Sequence, residues 1–414
     1  MPLSEKHQVR AEGDIRITRE VIAKLPKTDL HVHLGGSIRL ETLIDLAKKD
    51  DVQLPSYTVQ GLRDTVFKES YQNLEEYLKC FVHTGAVMQK AENLSRIAYE
   101  LAVDNQNEGV RYVEVRFAPQ RYAGDRMDLS QVLEAVNIGL TKAKREFNNR
   151  EAVVSGAEPP FDYGIIVCAM RYFTKGSSGY FNEILSAHAH SQKSRVFGLA
   201  SYELAGSIVK ARRNKGIPVV AIDIAGREKG YPPIHHRDAY MLAQRNFLNK
   251  TVHAGEAYGP ESIFQAITEL GADRIGHGTS LFSTEAISDR SIKDRRRYID
   301  DLVRFIADRR VTIEVCLTSN MQTAPELHRL EDHPFRKMME NRLSCTICTD
   351  NRTVSHTTVT DEIYKAVSVF GLSTAELKNL VAYGFKRSFF SHSYREKRKY
   401  VKQCMDYFEK VIAE

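Results

Sequence analysis

The chain has 414 residues, of which 42% are hydrophobic and 27% are charged, and these proportions are typical of a globular protein. The 59 basic and 53 acidic residues leave a net charge of only +6. The basic clusters at 293–297 and 395–399 contain no interleaved aromatic residues, so we expect solvated helix faces and no nucleic-acid partner. Because apolar runs of about 18 residues and a signal-peptide segment are lacking, we expect no membrane association. The six cysteines are sparse, which favours a reducing, cytoplasmic location.

Eight short, mostly apolar runs alternate with helical patterns along the chain. Residues 1–15 are polar, and we expect them to be loose. The strands are predicted at 27–32, 110–117, 163–170, 217–224, 250–254, 274–275, 311–316 and 343–349. Helices are predicted at 17–25, 38–49, 73–88, 91–108, 129–146, 181–188, 200–215, 261–270, 300–308 and 334–341, with two or three more between 361 and 413.

This alternation predicts the fold class. Continuous apolar runs are typical of parallel strands that are covered on both faces. Eight units favour a closed barrel over an open doubly wound sheet, and no glycine-rich phosphate-binding turn follows any strand. Length alone would suggest two or three domains, but α/β barrels run longer as single units. We therefore predict an α/β protein: one (β/α)8 TIM barrel domain over 1–414, with extra helices after strand 1 and a C-terminal helical cap at 361–414.

Polar residues follow four of the predicted strands. Catalytic residues of such barrels lie at the C-terminal ends of the strands. Because side chains alternate along a strand, the two histidines of the first one share a side. The polar residues are His31 and His33 after strand 1, His253 and Glu256 after strand 5, His277 after strand 6, and Asp350 and Asn351 after strand 8.

Three imidazoles and a carboxylate on one rim are ligands that suit Zn²⁺. A catalytic ion with an open position lowers the pKa of its water to about 7, and a nearby carboxylic acid and imidazole can transfer protons. Each residue also has an ordinary interpretation. A lone His-x-His pair is more often structural, and Asp350 could cap the next helix. Their common position on one predicted rim favours the metal site.

The strand ends lie in stretches that resemble the adenosine deaminase family. In the family's order these are DLHVHLGGS (29–37), GVRYVEVRFAP (109–119), VVAIDIAG (219–226), TVHAGE (251–256), RIGHG (274–278) and TDN (349–351). The resemblance implies a metal-dependent deaminase domain that converts adenosine to inosine and ammonia in purine metabolism, with a small-molecule purine nucleoside as its partner. It also implies one Zn²⁺ per chain, bound by His31, His33, His253 and Asp350.

The resemblance further implies how the purine is attacked. Glu256 would donate a proton to purine N1, as a carboxylic acid whose pKa is raised by a poorly solvated site. His277 would hold the attacking hydroxide on C6 and stabilise the developing charge, and Asp350 would accept a hydrogen bond from that hydroxide. Gly226 corresponds to the residue whose backbone amide meets purine N3.

Apolar residues at helical spacing resemble the family's lid over the substrate. At that spacing they could equally be ordinary core, and the sequence leaves both interpretations open. They are Leu74, Tyr77, Leu78 and Phe81.

Two positions depart from the family's pattern. The family usually has a second aspartate where this chain has Asn351, whose amide can donate the same hydrogen bond to purine N7. Gly35 stands where adenosine deaminases commonly have an aspartate that bonds the ribose 5′-hydroxyl, and the loss of that bond costs about 1 kcal/mol or more. The extra room predicts tolerance of a 5′-substituted adenosine of the 5′-deoxy, 5′-methylthio or aminofutalosine type.

Three functions stay open at this point. The chain could be a zinc-dependent adenosine deaminase, a relative that acts on adenine or a 5′-substituted adenosine, or a catalytically idle metal-holding purine-binding protein. The presence of Glu256 and His277 argues against the idle protein, since binding alone needs neither. The HxE and PCxxC pattern of the nucleic-acid-editing deaminases does not occur. The sequence predicts no oligomeric state.

Overall fold

Eight parallel strands form the centre of the protein in a computed structural model that describes residues 17–324 and 326–414. Each strand pairs with the next in chain order. A parallel bridge between Val32 and Asp350 joins the last strand to the first. The strands are β1 (Lys27–His33), β2 (Val110–Phe117), β3 (Asp162–Met170), β4 (Val219–Ala225), β5 (Asn249–Ala254), β6 (Arg274–His277), β7 (Thr312–Val315) and β8 (Ser344–Ile347).

Helices connect the strands around this nearly closed barrel, which confirms the predicted (β/α)8 TIM barrel. The helices up to β2 are α1 (Arg19–Lys24), α2 (Leu40–Lys49), α3 (Val59–Thr65), α4 (Leu74–Tyr77), α5 (Cys80–Ala86) and α6 (Ala91–Asn107). Those between β2 and β8 are α7 (Leu129–Asn148), α8 (Glu151–Val154), α9 (Gly179–Ala187), α10 (Lys193–Lys215), α11 (Arg237–Arg245), α12 (Pro260–Thr268), α13 (Arg295–Arg309), α14 (Leu317–Thr323) and α15 (Phe335–Glu340). The chain ends with α16 (Val359–Phe370), α17 (Thr374–Arg387) and α18 (Tyr394–Ala413).

The predicted helix over 73–88 is wrong in its continuity, because the chain forms α4 and α5 instead. The Asn73 side chain caps the first turn by accepting a hydrogen bond from the Glu76 amide over 2.9 Å. The turn then tightens, since Lys79 N donates to Glu76 O and Val82 N donates to Lys79 O, both over 3.1 Å. The structure also contains four helices that the sequence did not predict: α3, α8, α11 and α14.

The C-terminal helices pack on the barrel. Helix α17 lies against β1 and β8, at a contact so close that a Cβ atom on Gly384 would collide with Thr28. The Tyr400 hydroxyl of α18 donates to the carbonyl of Arg111 over 2.5 Å. The single-domain organisation stays a prediction, and the expected loose segment at 1–15 lies outside the described residues. Within those residues, none of the helices combines the length and apolarity needed to cross a bilayer.

Candidate active site

The histidines and the aspartate predicted from the strand ends converge at the C-terminal rim of the barrel. His253 Nε2 lies 3.1 Å from His31 Nε2 and 3.1 Å from His33 Nε2. Asp350 Oδ1 lies 3.4 Å from the same two atoms of His31 and His33. In a tetrahedral zinc site with bonds of about 2.0–2.1 Å, neighbouring ligand atoms are about 3.3 Å apart. The four side chains therefore fit a tetrahedral metal ion.

Two residues of this rim have strained backbones. His277 has φ = 67° and Asp350 has φ = 59°, which lie in the left-handed region that residues with a Cβ atom rarely adopt. Such a conformation destabilises the folded state by on the order of 1–3 kcal/mol, and residues that adopt it are concentrated at functional sites. His277 is the last residue of β6, and Asp350 lies three residues after the end of β8. At each position the strained turn directs the side chain into the rim.

Buried carboxylates orient two of the histidines. Nδ1 of His31 lies 2.8 Å from Glu314 Oε2, and Nδ1 of His253 lies 2.9 Å from Asp223 Oδ2. Because a carboxylate can only accept, each one favours the tautomer that has the hydrogen on Nδ1 and a lone pair on Nε2, the nitrogen that faces the other ligand atoms. A carboxylate behind a histidine in this way is the usual support of a metal ligand.

Arg116 of β2 joins the two carboxylates. Its guanidinium donates to Asp223 Oδ2 over 3.0 Å and to Glu314 Oε2 over 2.8 Å, and all three side chains are fully buried. Burial alone would raise the pKa of Glu314, but Arg116 and Arg274 hold it well below its usual range. The pKa of Asp223 is also lowered, because His253 and Arg116 outweigh its burial. Both carboxylates therefore stay ionised behind the histidines.

These supporting residues were not predicted from the sequence. They lie inside strands, at Arg116 of β2, Asp223 of β4 and Glu314 of β7, rather than at strand ends. A signal was present, because a charge within a continuous apolar strand must be paired to be buried. The sequence does not show which charges meet, since the pairs join strands that are far apart along the chain.

Asp223→Asn should weaken metal binding while leaving the fold intact. The amide lacks the charge that stabilises Nδ1–H of His253 and pairs with Arg116, so we expect a 10–100-fold loss of metal affinity. Competition against a chelator of known affinity measures this loss. Asp162→Asn is a matched control, because Asp162 is 8% exposed and pairs with Lys144 over 2.6 Å at the other end of β3. Equal metal affinities for the Asp223 variant and the unsubstituted protein would contradict the expectation.

His277 differs from the three other histidines in its hydrogen bonds. Its Nδ1 lies 3.0 Å from Asn320 Nδ2, a donor, so Nδ1 accepts and the hydrogen is on Nε2. Nε2 is buried without a hydrogen-bond partner in the described part of the chain and lies 3.7 Å from Glu256 Oε1. Burial holds the pKa of His277 well below its usual range. His277 therefore presents a neutral N–H donor to the cavity, although its position beside the ligand atoms would also allow a metal contact.

The loop after β5 is held by Glu228, a residue that sequence reasoning also missed. Glu228 Oε2 accepts from the backbone N–H groups of Glu256 and Ala257 over 3.0 and 2.7 Å. Its Oε1 accepts from Gly255 N over 2.8 Å and from Ser262 Oγ over 2.6 Å. These four bonds fix the backbone that carries the Glu256 side chain.

The environment of Glu256 favours the protonated form of its carboxyl group. Burial raises the pKa of its carboxyl group well above the usual range, and the negative charges of Asp350 and Glu228 raise it further. A carboxylic acid that keeps its proton near neutral pH can act as a proton donor.

Asn351 follows Asp350 in the chain, lines the same cavity and is 2% exposed. One N–H of its amide donates to Tyr77 Oη over 2.8 Å, and its Oδ1 has no hydrogen-bond partner among the described residues. The side chain covers Gly36, where any Cβ atom would collide with it. The second N–H of the amide stays available to an acceptor.

A cavity of about 390 Å³ contains this chemistry, a size typical of a small-molecule site. The predicted site residues line it, with the exception of His31, which is fully buried beneath. Leu74 and Leu78 also line it, so the lid residues border the cavity and pack on the core at once. The lining residues that the sequence predicted are His33, Gly35, Tyr77, Phe81, Gly226, His253, Glu256, His277, Asp350 and Asn351.

The protein is thus an α/β barrel whose rim carries a His/Asp group that could hold a metal ion. Residues 26–210 and 199–406 match the family model described as adenosine deaminase. An adenosine deaminase of Mycobacterium marinum is 34% identical over 381 residues, which cover 91% of this chain and 94% of that protein. The chain belongs to the adenosine deaminase family. It is a hydrolase that acts on C–N bonds of amidines, a deaminase of adenosine or a related purine, so it is not a catalytically idle binding protein.

Other similar proteins extend the comparison. A probable adenosine deaminase of Dictyostelium discoideum is 31% identical over 379 residues, and the chain spans only 42% of its length. An amidohydrolase of Burkholderia ambifaria solved with bound Zn superimposes with a TM-score of 0.73 at 21% identity, covering 97% of each chain. The N6-methyl-AMP deaminase of Arabidopsis thaliana has a TM-score of 0.69 at 23% identity, covering 94% of this chain and 98% of that one. At these identities the structural matches show the fold.

Proposed function

We propose that the protein is a zinc-dependent adenosine deaminase, which converts adenosine and water to inosine and ammonia. One observation carries the proposal: His253 Nε2 and Asp350 Oδ1 each lie 3.1–3.4 Å from the Nε2 atoms of His31 and His33, with the Glu256 carboxyl group close by in the same cavity. Nitrogen and carboxylate donors at tetrahedral spacing favour zinc over harder cations. A zinc ion held there would acidify a water molecule, so that the nucleophile is available at neutral pH.

The acid and the hydrogen-bond donor act on different atoms at the reacting carbon. Glu256 donates its proton to purine N1, which makes C6 electrophilic. His277 Nε2–H donates to the attacking oxygen and stabilises the charge that develops there. Asp350 Oδ2 already accepts from Ser319 Oγ over 2.5 Å, and the carboxylate takes up the proton that the attacking water loses. The amino group then takes the proton that Asp350 holds, the C6–N6 bond breaks with departure of ammonia, and the proton of the new C6 hydroxyl returns to the Glu256 carboxylate, which leaves the C6 carbonyl of inosine.

The rest of the purine meets the walls of the cavity. The free N–H of Asn351 is suited to donate to N7, and the backbone N–H of Gly226 to N3. Gly226 has φ = 94°, a conformation that glycine adopts without strain. Phe81 and Tyr77 cover the base from the lid side of the cavity.

A second candidate is a deaminase of 5′-substituted adenosines or of adenine. Gly35 favours the first of these, because it removes a side chain from the cavity wall. A panel of adenosine, AMP, 5′-methylthioadenosine and adenine, followed by ultraviolet absorbance, separates the candidates. We expect the highest kcat/KM on adenosine. A strong preference for another compound of the panel would contradict adenosine as the main substrate.

The raised pKa of Glu256 predicts a pH dependence. Above that pKa the carboxylate has lost the proton that it donates, so kcat/KM should fall as the pH rises through it. Glu228→Gln removes a negative charge that raises this pKa, and the alkaline limb of the profile should move to lower pH. Ser262→Ala is the control, because it removes a hydrogen bond to Glu228 without changing the charge. An alkaline limb that stays in place in the Glu228 variant would contradict the assignment.

We also infer that the protein works in a reducing compartment such as the cytoplasm. All six cysteines lie in the described part of the chain as free, buried thiols. Disulfides that would point to an oxidising compartment are not formed between them.

A further inference from the structure

One wall of the cavity carries the hydroxyl group of Tyr122. Around Gly35 the wall is formed by Phe81, Met88 and Tyr122, and a Cβ atom on Gly35 would lie 3.3 Å from the Tyr122 hydroxyl. The neighbouring Phe81 Cδ1 and Met88 Sδ would lie at 3.5 and 3.6 Å. The hydroxyl of Tyr122 therefore occupies the space into which a longer side chain at position 35 would extend.

The Tyr122 hydroxyl has no hydrogen-bond partner among the described residues. Tyr122 is 7% exposed, and its ring lies beside Phe117, with the ring centroids 6.5 Å apart. Tyr122 and Phe117 both line the cavity, and the hydroxyl is not one of the fully buried unpaired polar atoms of the described residues. The hydroxyl is therefore free to hydrogen-bond a ligand in the cavity.

The other polar groups of the cavity indicate which part of a nucleoside faces this wall. Glu256, His277 and Asp350 are assigned to the reacting edge of the purine, and Asn351 and Gly226 to N7 and N3. The sugar hydroxyls are the polar groups of adenosine that these five residues leave without a partner. The 5′-hydroxyl is carried on a rotatable arm and reaches farthest from the ring, so it suits a partner on a separate wall.

We infer that the Tyr122 hydroxyl bonds the 5′-hydroxyl of the nucleoside and makes Tyr122 a specificity-determining residue. The inference rests on the proposed function. It assigns to Tyr122 the role that a polar side chain at position 35 would have, and it favours adenosine over 5′-deoxy and 5′-methylthio analogues. Lys79 and Arg121 also line the cavity, so AMP belongs in the test as the competing 5′-phosphorylated substrate.

The test compares kcat/KM for adenosine and 5′-deoxyadenosine in the unsubstituted protein and in Tyr122→Phe. We expect the unsubstituted protein to prefer adenosine by about tenfold and the variant to show no preference, because only the adenosine value falls. Tyr163→Phe is the matched control, since the Tyr163 hydroxyl bonds Asn137 and Thr141 away from the cavity. The Tyr163 variant should leave the ratio of kcat/KM for adenosine to kcat/KM for 5′-deoxyadenosine unchanged. Circular dichroism and the thermal midpoint confirm that each variant is folded.

Three outcomes would overturn the inference while leaving the deaminase intact. They are an equal loss on both substrates, a preference for AMP over adenosine, and a loss that appears with 2′- or 3′-deoxyadenosine instead. A protein that deaminates none of these compounds would instead contradict the proposed function. A double variant, Gly35→Asp with Tyr122→Phe, gives a second readout: it should regain the preference for adenosine, because the carboxylate then has the space that the hydroxyl vacates.

Discussion

Glu256→Gln should lose nearly all turnover and keep its metal. Glutamine has the shape of the protonated carboxyl group, and the bonds that hold this loop come from the backbone N–H of residue 256 to Glu228. The amide cannot transfer a proton to purine N1, so we expect kcat to fall by about 10²–10⁴-fold. Binding of inosine should change little, because the cavity keeps its shape.

The measurement is kcat and KM on adenosine together with metal content by atomic emission. Glu261→Gln is the matched control, since Glu261 is also a buried carboxylate, 7% exposed, that accepts from Ser288 N and Asp289 N and does not line the cavity. That variant should keep normal kcat. A Glu256 variant with unchanged kcat would remove Glu256 from the mechanism.

His253→Ala should release the metal ion. The substitution removes the nitrogen that lies 3.1 Å from both His31 Nε2 and His33 Nε2, and three remaining ligands hold the ion less tightly. It also leaves Asp223 without the imidazole that lies 2.9 Å away, so a buried carboxylate loses one of its partners. We expect the purified variant to contain little zinc and to have no activity above background.

A matched histidine separates metal loss from misfolding. His236 is buried, as His253 is, but it bonds Ser201 over 2.7 Å, outside the cavity. His236→Ala should lower the thermal midpoint and retain one zinc ion per chain. If the His253 variant also retained one zinc ion per chain, the assignment of His253 as a metal ligand would be wrong.

The strands could be predicted from sequence because each is a short apolar run ended by a breaking residue. The prediction for β2 agrees with the structure at both ends, 110–117. For β4 the prediction began two residues early, because Pro218 has no N–H to donate to a sheet. The helix over 73–88 failed for a different reason. Its side-chain periodicity is helical, but the tight turn at Lys79 divides it, and periodicity does not report such local bonds.

The candidate site was predictable to the extent that a barrel places strand ends on one rim. His31, His253 and His277 could be brought together on that ground alone. Their different roles could not, because the hydrogen-bonding state of each ring depends on a partner from a distant strand or helix. Asp223 and Glu314 leave a lone pair on Nε2, whereas Asn320 of α14 leaves a hydrogen there.

Removal and return of the metal test metal-dependent deamination most directly. Protein stripped with a chelator and then dialysed should release no ammonia from adenosine, and one equivalent of zinc per chain should restore both ammonia release and the fall in ultraviolet absorbance. The His253→Ala protein, treated in the same way, should not recover. Full activity in stripped protein that contains no metal by atomic emission would contradict the assignment of His31, His33, His253 and Asp350 as the ligands of a catalytic zinc ion.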